Sequence, residues 1–250
     1  MRLKNQVAII TGSTMGIGLA IAKELAKEGC NIVVTSRTKK DVDKTAREIE
    51  KLNVESIGIT TDVSNPTDVR NLVKETMKKF GRIDILINNA GVIVYKDFKD
   101  STQKEDDYIV DVNLKGTLLC TKEVLPAMIK QKYGRIVNIS SGAGKTGIPG
   151  MSVYSATKFA IIGFTESIAD ELKKHDIKVY AVCPGGVDTR MYTSTFGEKP
   201  SLKPSHIAKK VLPLCMPDVK TKSGTIIEVY HKWMWLPLNI SYTLVIQWLI

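Results

Sequence analysis

Two residues at the start of a predicted helix have the side chains to move a proton. Tyr154 and Lys158 are four residues apart, a spacing that places the phenol and the ammonium on one face of a helix. A phenol with its ordinary pKa of about 10 transfers protons poorly at neutral pH, and a neighbouring cation lowers that pKa by stabilising the phenolate. The pair predicts an acid/base centre, although Tyr-x-x-x-Lys is common by chance.

Other polar residues that could join this centre follow predicted strands. Ser141 ends a strand thirteen residues before Tyr154, Asn89 follows an earlier strand, and Asn113 comes after the next amphipathic segment. The segment 184–189 follows a sixth strand in the same way. Parallel α/β sheets place their functional sites at the carboxyl ends of the strands. We therefore expect these residues to lie close to Tyr154.

A glycine-rich turn directly after the first predicted strand could hold a pyrophosphate. Gly12, Gly16 and Gly18 have the spacing G-x-x-x-G-x-G and lead into a helix. The first glycine permits a sharp turn, the second lets phosphates approach the backbone, and the third lets the helix lie close to the sheet. The helix N-terminus attracts negative charge. This context predicts a dinucleotide site; the alternative is a glycine-rich turn without a ligand.

The end of the second predicted strand indicates which dinucleotide would bind. An NAD-selective site carries an acidic residue roughly 20 residues after the turn, whereas this chain has Ser36 and Arg37 near that place. A carboxylate would repel a 2′-phosphate, but a hydroxyl beside a guanidinium can bind it through charge-assisted hydrogen bonds. We predict NADP(H) as the cofactor; the alternative is that Arg37 points into solvent.

Alternating apolar runs and amphipathic segments must position these residues. Strands are predicted at 6–10, 31–35, 56–60, 83–87, 135–140, 178–183 and 225–229. Helices between them include 66–80, with Asn65 as N-cap and Pro66 in first position, and 105–112, 114–131, 152–174 and 205–214. Short apolar strands alternating with helices pair in parallel through right-handed crossovers. The sequence predicts a single doubly wound α/β domain of the Rossmann type, with about seven parallel strands and helices on both faces, over residues 1–232.

Two segments depart from this alternation. The stretch 184–204 is interrupted by glycine and proline, so it is predicted as a long loop over the site, with Met191, Tyr192 and Phe196 on one wall. Such a small lid suggests an open site for a tolerant or bulky substrate. Residues 233–250 are uncharged and close to the length that spans a bilayer. We interpret them as an apolar tail that packs on a partner subunit or attaches peripherally to a membrane.

Composition argues against several other classes of protein. The four cysteines form no C-x-x-C pair and the start of the chain has no secretory signal pattern, which predicts a cytoplasmic protein with reduced thiols. The isolated histidines offer no metal-ligand spacing, so we expect no metal site. The net charge of +10 comes from scattered lysine pairs. Nucleic acid is therefore not expected as a partner, although this charge could help to attract an anionic cofactor.

Together these motifs resemble the complete set of the short-chain dehydrogenase/reductase family, over about residues 5–230. In order they are the glycine turn, Asp62-Val63, Asn88-Asn89-Ala90-Gly91, Asn113, Ser141, Tyr154, Lys158 and the segment 184–189. The resemblance implies an enzyme that interconverts a small carbonyl compound and an alcohol by hydride transfer. It also implies a homo-oligomer, either dimer or tetramer.

The resemblance further implies individual roles. Tyr154 would donate a proton to the carbonyl oxygen in reduction, and Lys158 would lower its pKa and bind the nicotinamide ribose. Ser141 would hold the substrate oxygen, Asn113 would anchor a water of the proton relay, and Asp62 would meet the adenine amino group. The cofactor-binding residues implied in this way are Gly12, Ser13, Thr14, Gly16, Ile17, Gly18, Ser36, Arg37, Asp62, Val63, Asn89, Ala90, Gly91, Tyr154, Lys158, Pro184, Gly185, Val187 and Thr189.

Two other functions stay open. A reductase of 3-oxoacyl thioesters is an alternative within the same reaction class, because the basic charge would suit an acidic carrier protein. An NADPH-binding sensor or scaffold without turnover is the alternative from another class, since a fold does not determine a function. Such proteins usually lose part of the catalytic tetrad, which is complete in this chain.

Overall fold

The computed structural model describes residues 1–230 and contains a seven-stranded parallel sheet with helices on both faces. The strands are β1 (Val7–Ile10), β2 (Asn31–Ser36), β3 (Ser56–Thr60), β4 (Ile85–Asn88), β5 (Gly134–Ile139), β6 (Ile177–Pro184) and β7 (Ile226–Val229). The helices are α1 (Gly16–Lys27), α2 (Lys39–Glu50), α3 (Pro66–Phe80), α4 (Gln103–Val110), α5 (Gly116–Gln131), α6 (Ser152–Glu171), α7 (Arg190–Phe196) and α8 (Pro204–Val211). The predicted doubly wound fold is confirmed; the predicted tail 233–250 lies outside the described residues.

The order of the strands places a crevice above β1 and β4. Across the sheet the order is β3-β2-β1-β4-β5-β6-β7, and every pair is parallel. The chain builds outward from β1 in one direction through β3, then returns to the other side of β1 with β4. In open α/β sheets the crevice at such a reversal, outside the carboxyl ends of the strands, is where ligands bind.

Both faces of the sheet are buried, as the apolar runs predict. In β1, Ala8 and Ile10 pack in a core with α1, α2 and α8, while Val7 and Ile9 pack in a second core with α3, α5 and α6. This alternation follows from the two-residue period of a strand. Fully burying an isoleucine or valine side chain contributes about 1.5–3 kcal/mol. The helices on the two faces thereby enclose the sheet between two apolar cores.

Helix α3 shows how local sequence sets the ends of an element. The Asn65 side chain accepts hydrogen bonds from the backbone N–H groups of Thr67 and Asp68, and Pro66 occupies the first helical position. The helix stops at Gly81, whose φ of 71° is in the left-handed region that favours glycine. The predicted N-cap is confirmed.

The prediction of an uninterrupted loop over 184–204 is wrong, because α7 forms within it. The Thr189 side chain accepts a hydrogen bond from the backbone N–H of Tyr192 at 3.3 Å and so begins the helix. Gly197, with φ of 70°, ends it. The glycines and prolines that suggested a loop lie outside these seven residues, so they bound the helix rather than break it.

Candidate active site

A cleft of about 1200 Å³ lies at the carboxyl ends of the strands and gathers most of the predicted residues. Those predicted for the cofactor that line it are Gly12, Thr14, Gly16, Ile17, Ser36, Arg37, Asp62, Val63, Asn89, Ala90, Gly91, Tyr154, Lys158, Pro184, Gly185, Val187 and Thr189. Ser141 lines the same cleft, as do Met191, Tyr192 and Phe196 from the predicted lid. The fold therefore brings residues from widely separated segments into one site.

Three predicted residues support the cleft from behind its surface. Ser13 is buried, and its hydroxyl accepts a hydrogen bond from the backbone N–H of Thr35 at 3.0 Å, which ties the glycine turn to β2. Gly18 lies in the first turn of α1 against the carbonyl of Gly12. Asn113 is fully buried. These positions make them supports of the residues that line the cleft; direct contact of Ser13 and Gly18 with a cofactor stays a prediction.

The glycine turn fits the phosphates of a dinucleotide. Gly12 and Gly16 have φ angles of 64° and 57°, which residues with a Cβ rarely adopt. A Cβ at Gly16 would lie 3.4 Å from the methyl of Thr189 and narrow the cradle. The Asn89 side chain donates to the carbonyls of Thr11 at 2.9 Å and Gly12 at 3.0 Å, which anchors the turn to the end of β4. Helix α1 has no acidic residue in its first turn, so its N-terminus offers N–H groups and positive potential to an anion.

Gly18 gives a test of this packing. A Cβ there would collide with the Gly12 carbonyl and lie 2.6 Å from the Asn89 amide nitrogen. We expect Gly18→Ala to lower the free energy of unfolding by about 1–3 kcal/mol, the usual cost of overpacking, and to weaken dinucleotide binding. Urea denaturation measures the first effect.

The matched control is Gly163→Ala in α6. Gly163 is exposed, and a Cβ there would meet nothing within 4 Å. This change should raise stability by up to about 1 kcal/mol, because alanine favours a helix more than glycine does. Equal stabilities for Gly18→Ala and the unchanged protein would disprove the close contact.

The adenosine end of the cleft holds the residues predicted to select the cofactor. Arg37 is exposed, but its Nη1 donates to the hydroxyl of Tyr108 at 2.8 Å, so the guanidinium is held at the cleft. Ser36 is the last residue of β2. Asp62 accepts hydrogen bonds from the backbone N–H and the hydroxyl of Ser64, at 2.9 and 2.6 Å, which orient its carboxylate. A cation and a hydroxyl thus stand together where a 2′-phosphate is expected.

The predicted acid/base residue is buried beside the predicted substrate-binding serine. Tyr154 is 9% exposed, and its side chain is hydrogen bonded to that of Ser141. The Ser141 hydroxyl also accepts a hydrogen bond from the backbone N–H of Ala143 at 3.1 Å, which fixes its direction. Burial raises the pKa of Tyr154, and the hydrogen bond to Ser141 opposes that rise. At neutral pH the phenol carries its proton and can donate it.

Lys158 lies next to Tyr154, but the pKa of Tyr154 is not lowered as the sequence predicts. The Lys158 Nζ is 5.5 Å from the Tyr154 ring centroid and donates to the Ile139 carbonyl at 2.9 Å. Burial lowers the pKa of Lys158 to about 8. The pKa of Tyr154 is raised rather than lowered, because the loss of solvation outweighs the hydrogen bond to Ser141. The prediction that the two groups share one helix face is confirmed.

Asn113 fixes the segment that follows β4. The predicted helices 105–112 and 114–131 form one run, in which a π-helical turn (Asp111–Lys115) joins α4 to α5. Within it, the Asn113 amide accepts from the backbone N–H of Val92 at 2.7 Å and donates to its carbonyl at 2.9 Å. It also donates to the Thr157 hydroxyl on α6 at 3.4 Å. Such π turns often mark functional sites; the predicted water-anchoring role stays a prediction.

A buried row of polar side chains beneath the site was missed from the sequence. The Asn88 amide donates to Asn138 at 2.8 Å and to Thr121 at 3.0 Å, and the Asn138 amide donates to Thr165 at 2.9 Å. The row joins β4 and β5 to α5 and α6. Buried amides need partners, so an asparagine inside the apolar run 135–140 was the available signal. These bonds hold the strands that carry Asn89 and Ser141 in register.

Two aromatic residues on the substrate side were also missed. Tyr95 packs edge-on against Phe196, with ring centroids 5.2 Å apart, and covers Gly150. Tyr230 follows β7 and lines the cleft. Its ring covers Gly142, where a Cβ would come within 3.0 Å of a ring carbon. Neither tyrosine belongs to a recognisable motif, so only the fold reveals their positions.

Other kinds of site are absent from residues 1–230. They contain no group of three or more His, Cys, Asp or Glu side chains that could hold a metal ion. Their helices include none that is both long enough and apolar enough to cross a bilayer. The four cysteines are buried and free.

Comparisons with known proteins agree with this geometry. Residues 6–200 match the family model described as short chain dehydrogenase. The chain is 42% identical over 204 residues to the 3-oxoacyl-(acyl-carrier-protein) reductase of Synechocystis sp., which covers 80% of this chain and 81% of that protein. Two solved structures superimpose with a TM-score of 0.86 and cover 91% of this chain and 97% of theirs. They are levodione reductase, 28% identical, and the 3-ketoacyl-(acyl-carrier-protein) reductase of Brucella melitensis complexed with NADH, 30% identical.

Proposed function

The chain belongs to the short-chain dehydrogenase family, and on that premise we propose that it is an NADP(H)-dependent oxidoreductase that interconverts a ketone or aldehyde and the corresponding alcohol. The observation that carries the proposal is the grouping of Tyr154, Ser141 and Lys158 in the cleft that also contains the glycine turn. A proton donor, a hydrogen-bonding group for the substrate oxygen and a phosphate cradle are the parts that this reaction needs.

Tyr154 and Ser141 handle the substrate oxygen. When bound, the nicotinamide supplies the hydride in reduction and accepts it in oxidation. The Ser141 hydroxyl holds the carbonyl oxygen, and Tyr154 gives that oxygen the phenolic proton as the alcohol forms. In oxidation, Tyr154 takes the proton from the alcohol. The raised pKa of Tyr154 keeps the phenol protonated at neutral pH, which is the form that reduction needs.

Lys158 and Asn113 hold this centre in place. The Lys158 ammonium, fixed by the Ile139 carbonyl at 2.9 Å, lies where it would bind the nicotinamide ribose and stabilise a phenolate on Tyr154. Asn113 keeps Val92 beside the same wall through two hydrogen bonds. Positioning of this kind lowers the barrier because fewer groups reorganise during the reaction.

Arg37 and Ser36 support NADP(H) over NAD(H). No side chain at their positions repels a 2′-phosphate, and the Arg37 guanidinium is held at the cleft by Tyr108. The Brucella melitensis relative was crystallised with NADH, so the two dinucleotides should be measured side by side.

The substrate side of the cleft supports a carbonyl compound with an apolar body. Its wall contains Val92, Ile93, Ile148, Met151 and Met191. A 3-oxoacyl thioester is the second candidate, because the Synechocystis relative carries that activity in its name and the net charge of +10 suits an acidic carrier. Initial rates with NADPH on cyclic ketones and on 3-oxoacyl thioesters decide between them. Tight NADPH binding without turnover on either would favour the sensor alternative.

The lid gives a test of substrate selection. The Phe196 ring lies 5.2 Å from the Tyr95 centroid and 4.6 Å from that of Tyr192, so α7 is held against the wall of the cleft. We expect Phe196→Ala to raise the KM for a small apolar ketone about 2- to 10-fold, since an aromatic pair contributes about 0.5–1.5 kcal/mol. The kcat should change less than about twofold. Phe98→Ala, at a 64% exposed position, is the control; unchanged KM values in Phe196→Ala would contradict this role of the lid.

Assembly and location extend the proposal. We propose a cytoplasmic homo-oligomer, in line with the four buried free cysteines. The tail 233–250, with its two predicted roles in subunit packing or peripheral membrane attachment, lies outside the described residues. Light scattering measures the molar mass of the protein in solution. A mass equal to that of a single chain would contradict the proposed oligomer.

A further inference from the structure

A hydrogen bond joins the two sides of the adenosine end of the cleft. Arg37 follows β2, and its Nη1 donates to the hydroxyl of Tyr108 on α4 at 2.8 Å. The guanidinium carbon lies 5.8 Å from the centroid of the Tyr108 ring, within range of a cation–π interaction. The flexible arginine side chain is thereby held at two points by a residue distant in sequence.

Helix α4 presents Tyr108 from a firmly held position. Thr102 and Glu105 form a reciprocal capping box at its N-terminus. Lys96 binds Glu105 at 2.8 Å, and these bonds lower the pKa of Glu105 to about 2, so the cap persists at all ordinary pH values. Ile109, next to Tyr108, is 2% exposed and anchors the helix. The Tyr108 hydroxyl is therefore a fixed acceptor.

An acidic residue lies on the same side of the cleft as Arg37. Asp41 lies four residues along, in the first turn of α2, and lines the same cleft. A salt bridge to Asp41 would neutralise the guanidinium where a 2′-phosphate should bind. The hydrogen bond to Tyr108 uses one of the five N–H groups of the guanidinium and holds the rest of the fork in place.

We propose that Tyr108 is a positioning residue for cofactor choice: it holds Arg37 away from Asp41 and ready to bind the 2′-phosphate of NADP(H). This rests on the proposed NADP(H) dependence. Arg37 makes the contact with the phosphate, and Tyr108 acts through Arg37. Preorganisation of this kind increases affinity because less conformational entropy is lost on binding.

Calorimetric titration of the full-length protein with NADP⁺ and NAD⁺ tests the proposal, because the two ligands differ only in the 2′-phosphate. Tyr108→Phe removes the acceptor and keeps the ring. We expect it to weaken NADP⁺ binding about three- to tenfold, within the range for the loss of one typical hydrogen bond, and to change NAD⁺ binding less than about twofold. Tyr133→Phe is the control and should change neither affinity. Tyr133 directly precedes β5 and so lies at the end of the sheet opposite the cleft.

A double-mutant cycle separates positioning from a general structural role. If Tyr108 acts through Arg37, Tyr108→Phe should have no further effect on NADP⁺ binding in an Arg37→Ala background. Equal weakening of NADP⁺ and NAD⁺, or full additivity with Arg37→Ala, would overturn the proposal while leaving the cofactor assignment intact. If the unchanged protein bound NADP⁺ no tighter than NAD⁺, the cofactor assignment itself would fail, and this inference with it.

Discussion

Replacing Tyr154 with phenylalanine is expected to reduce kcat for carbonyl reduction by about 10²- to 10⁴-fold, the range that general acid catalysis contributes. The change removes the proton donor and keeps the ring that packs in the core with Ile109 and Met151. NADPH affinity should change much less than kcat, because the lost hydroxyl gives its proton to the substrate and the rest of the predicted cofactor-binding set is unchanged. Initial rates and calorimetric NADPH binding measure the two effects separately.

Tyr133→Phe is the control for the loss of a hydrogen-bonded tyrosine hydroxyl. Tyr133 is partly buried, and its hydroxyl accepts a hydrogen bond from Gln6 at the end of the sheet far from the cleft. Removing this hydroxyl can affect stability but does not alter the cleft. The kcat of this variant should stay within about twofold of the unchanged protein. A Tyr154→Phe protein that retained most of its turnover would remove Tyr154 from the mechanism.

The pH dependence of the reaction gives a second test of the role of Tyr154. Reduction needs the protonated phenol, and because burial raises the pKa of Tyr154, kcat/KM for reduction should stay level through neutral pH and fall as the pH rises toward that pKa. Alcohol oxidation needs the phenolate and should increase over the same range. A fall in reduction that begins near pH 8 would assign the profile to Lys158, whose pKa burial lowers to about 8.

Arg37→Ala is expected to lower kcat/KM with NADPH about 10- to 100-fold and to leave NADH within about twofold. The magnitude follows from losing hydrogen bonds between a guanidinium and a phosphate, at about 1.5–3 kcal/mol, with 1.4 kcal/mol for each factor of ten. Initial rates at varied concentrations of each dinucleotide measure the change in preference.

Arg47→Ala controls for the loss of one positive charge. Arg47 is an exposed residue in the last turn of α2 and does not line the cleft. Arg47→Ala should leave kcat/KM with NADPH and with NADH unchanged. An equal fall with NADPH and NADH in Arg37→Ala would show that Arg37 holds the adenosine rather than the 2′-phosphate.

Much of the fold could be predicted because parallel sheets leave a strong pattern in sequence. A strand buried on both faces needs a continuous apolar run, such as Val7–Ile10. Helix ends need particular residues, as at Asn65 and Gly81. Because the carboxyl ends of parallel strands meet at one edge, the glycine turn, Asn89 and Ser141 could be expected to converge.

The remaining features depend on packing that local sequence does not encode. Arg37 and Tyr108 are 71 residues apart, so their hydrogen bond appears only once β2 and α4 face each other. The direction of the Tyr154 pKa shift depends on burial by surrounding elements, which outweighs the hydrogen bond to Ser141. Helix α7 is only seven residues long. Its capping residues, Thr189 and Gly197, are recognisable helix-end signals in the sequence, but the seven residues between them are too few to show a helical pattern.

The most direct test of the central claim is reduction with NADPH that carries deuterium at both hydrogens of the nicotinamide C4. The ketone or thioester with the highest rate serves as substrate, and mass spectrometry reads the alcohol formed. Hydride transfer in this cleft predicts one deuterium on the carbinol carbon, and about 10²- to 10⁴-fold slower formation of that product by Tyr154→Phe. An alcohol without deuterium, or no alcohol from any carbonyl despite tight NADPH binding, would contradict the assignment of this protein as a carbonyl reductase.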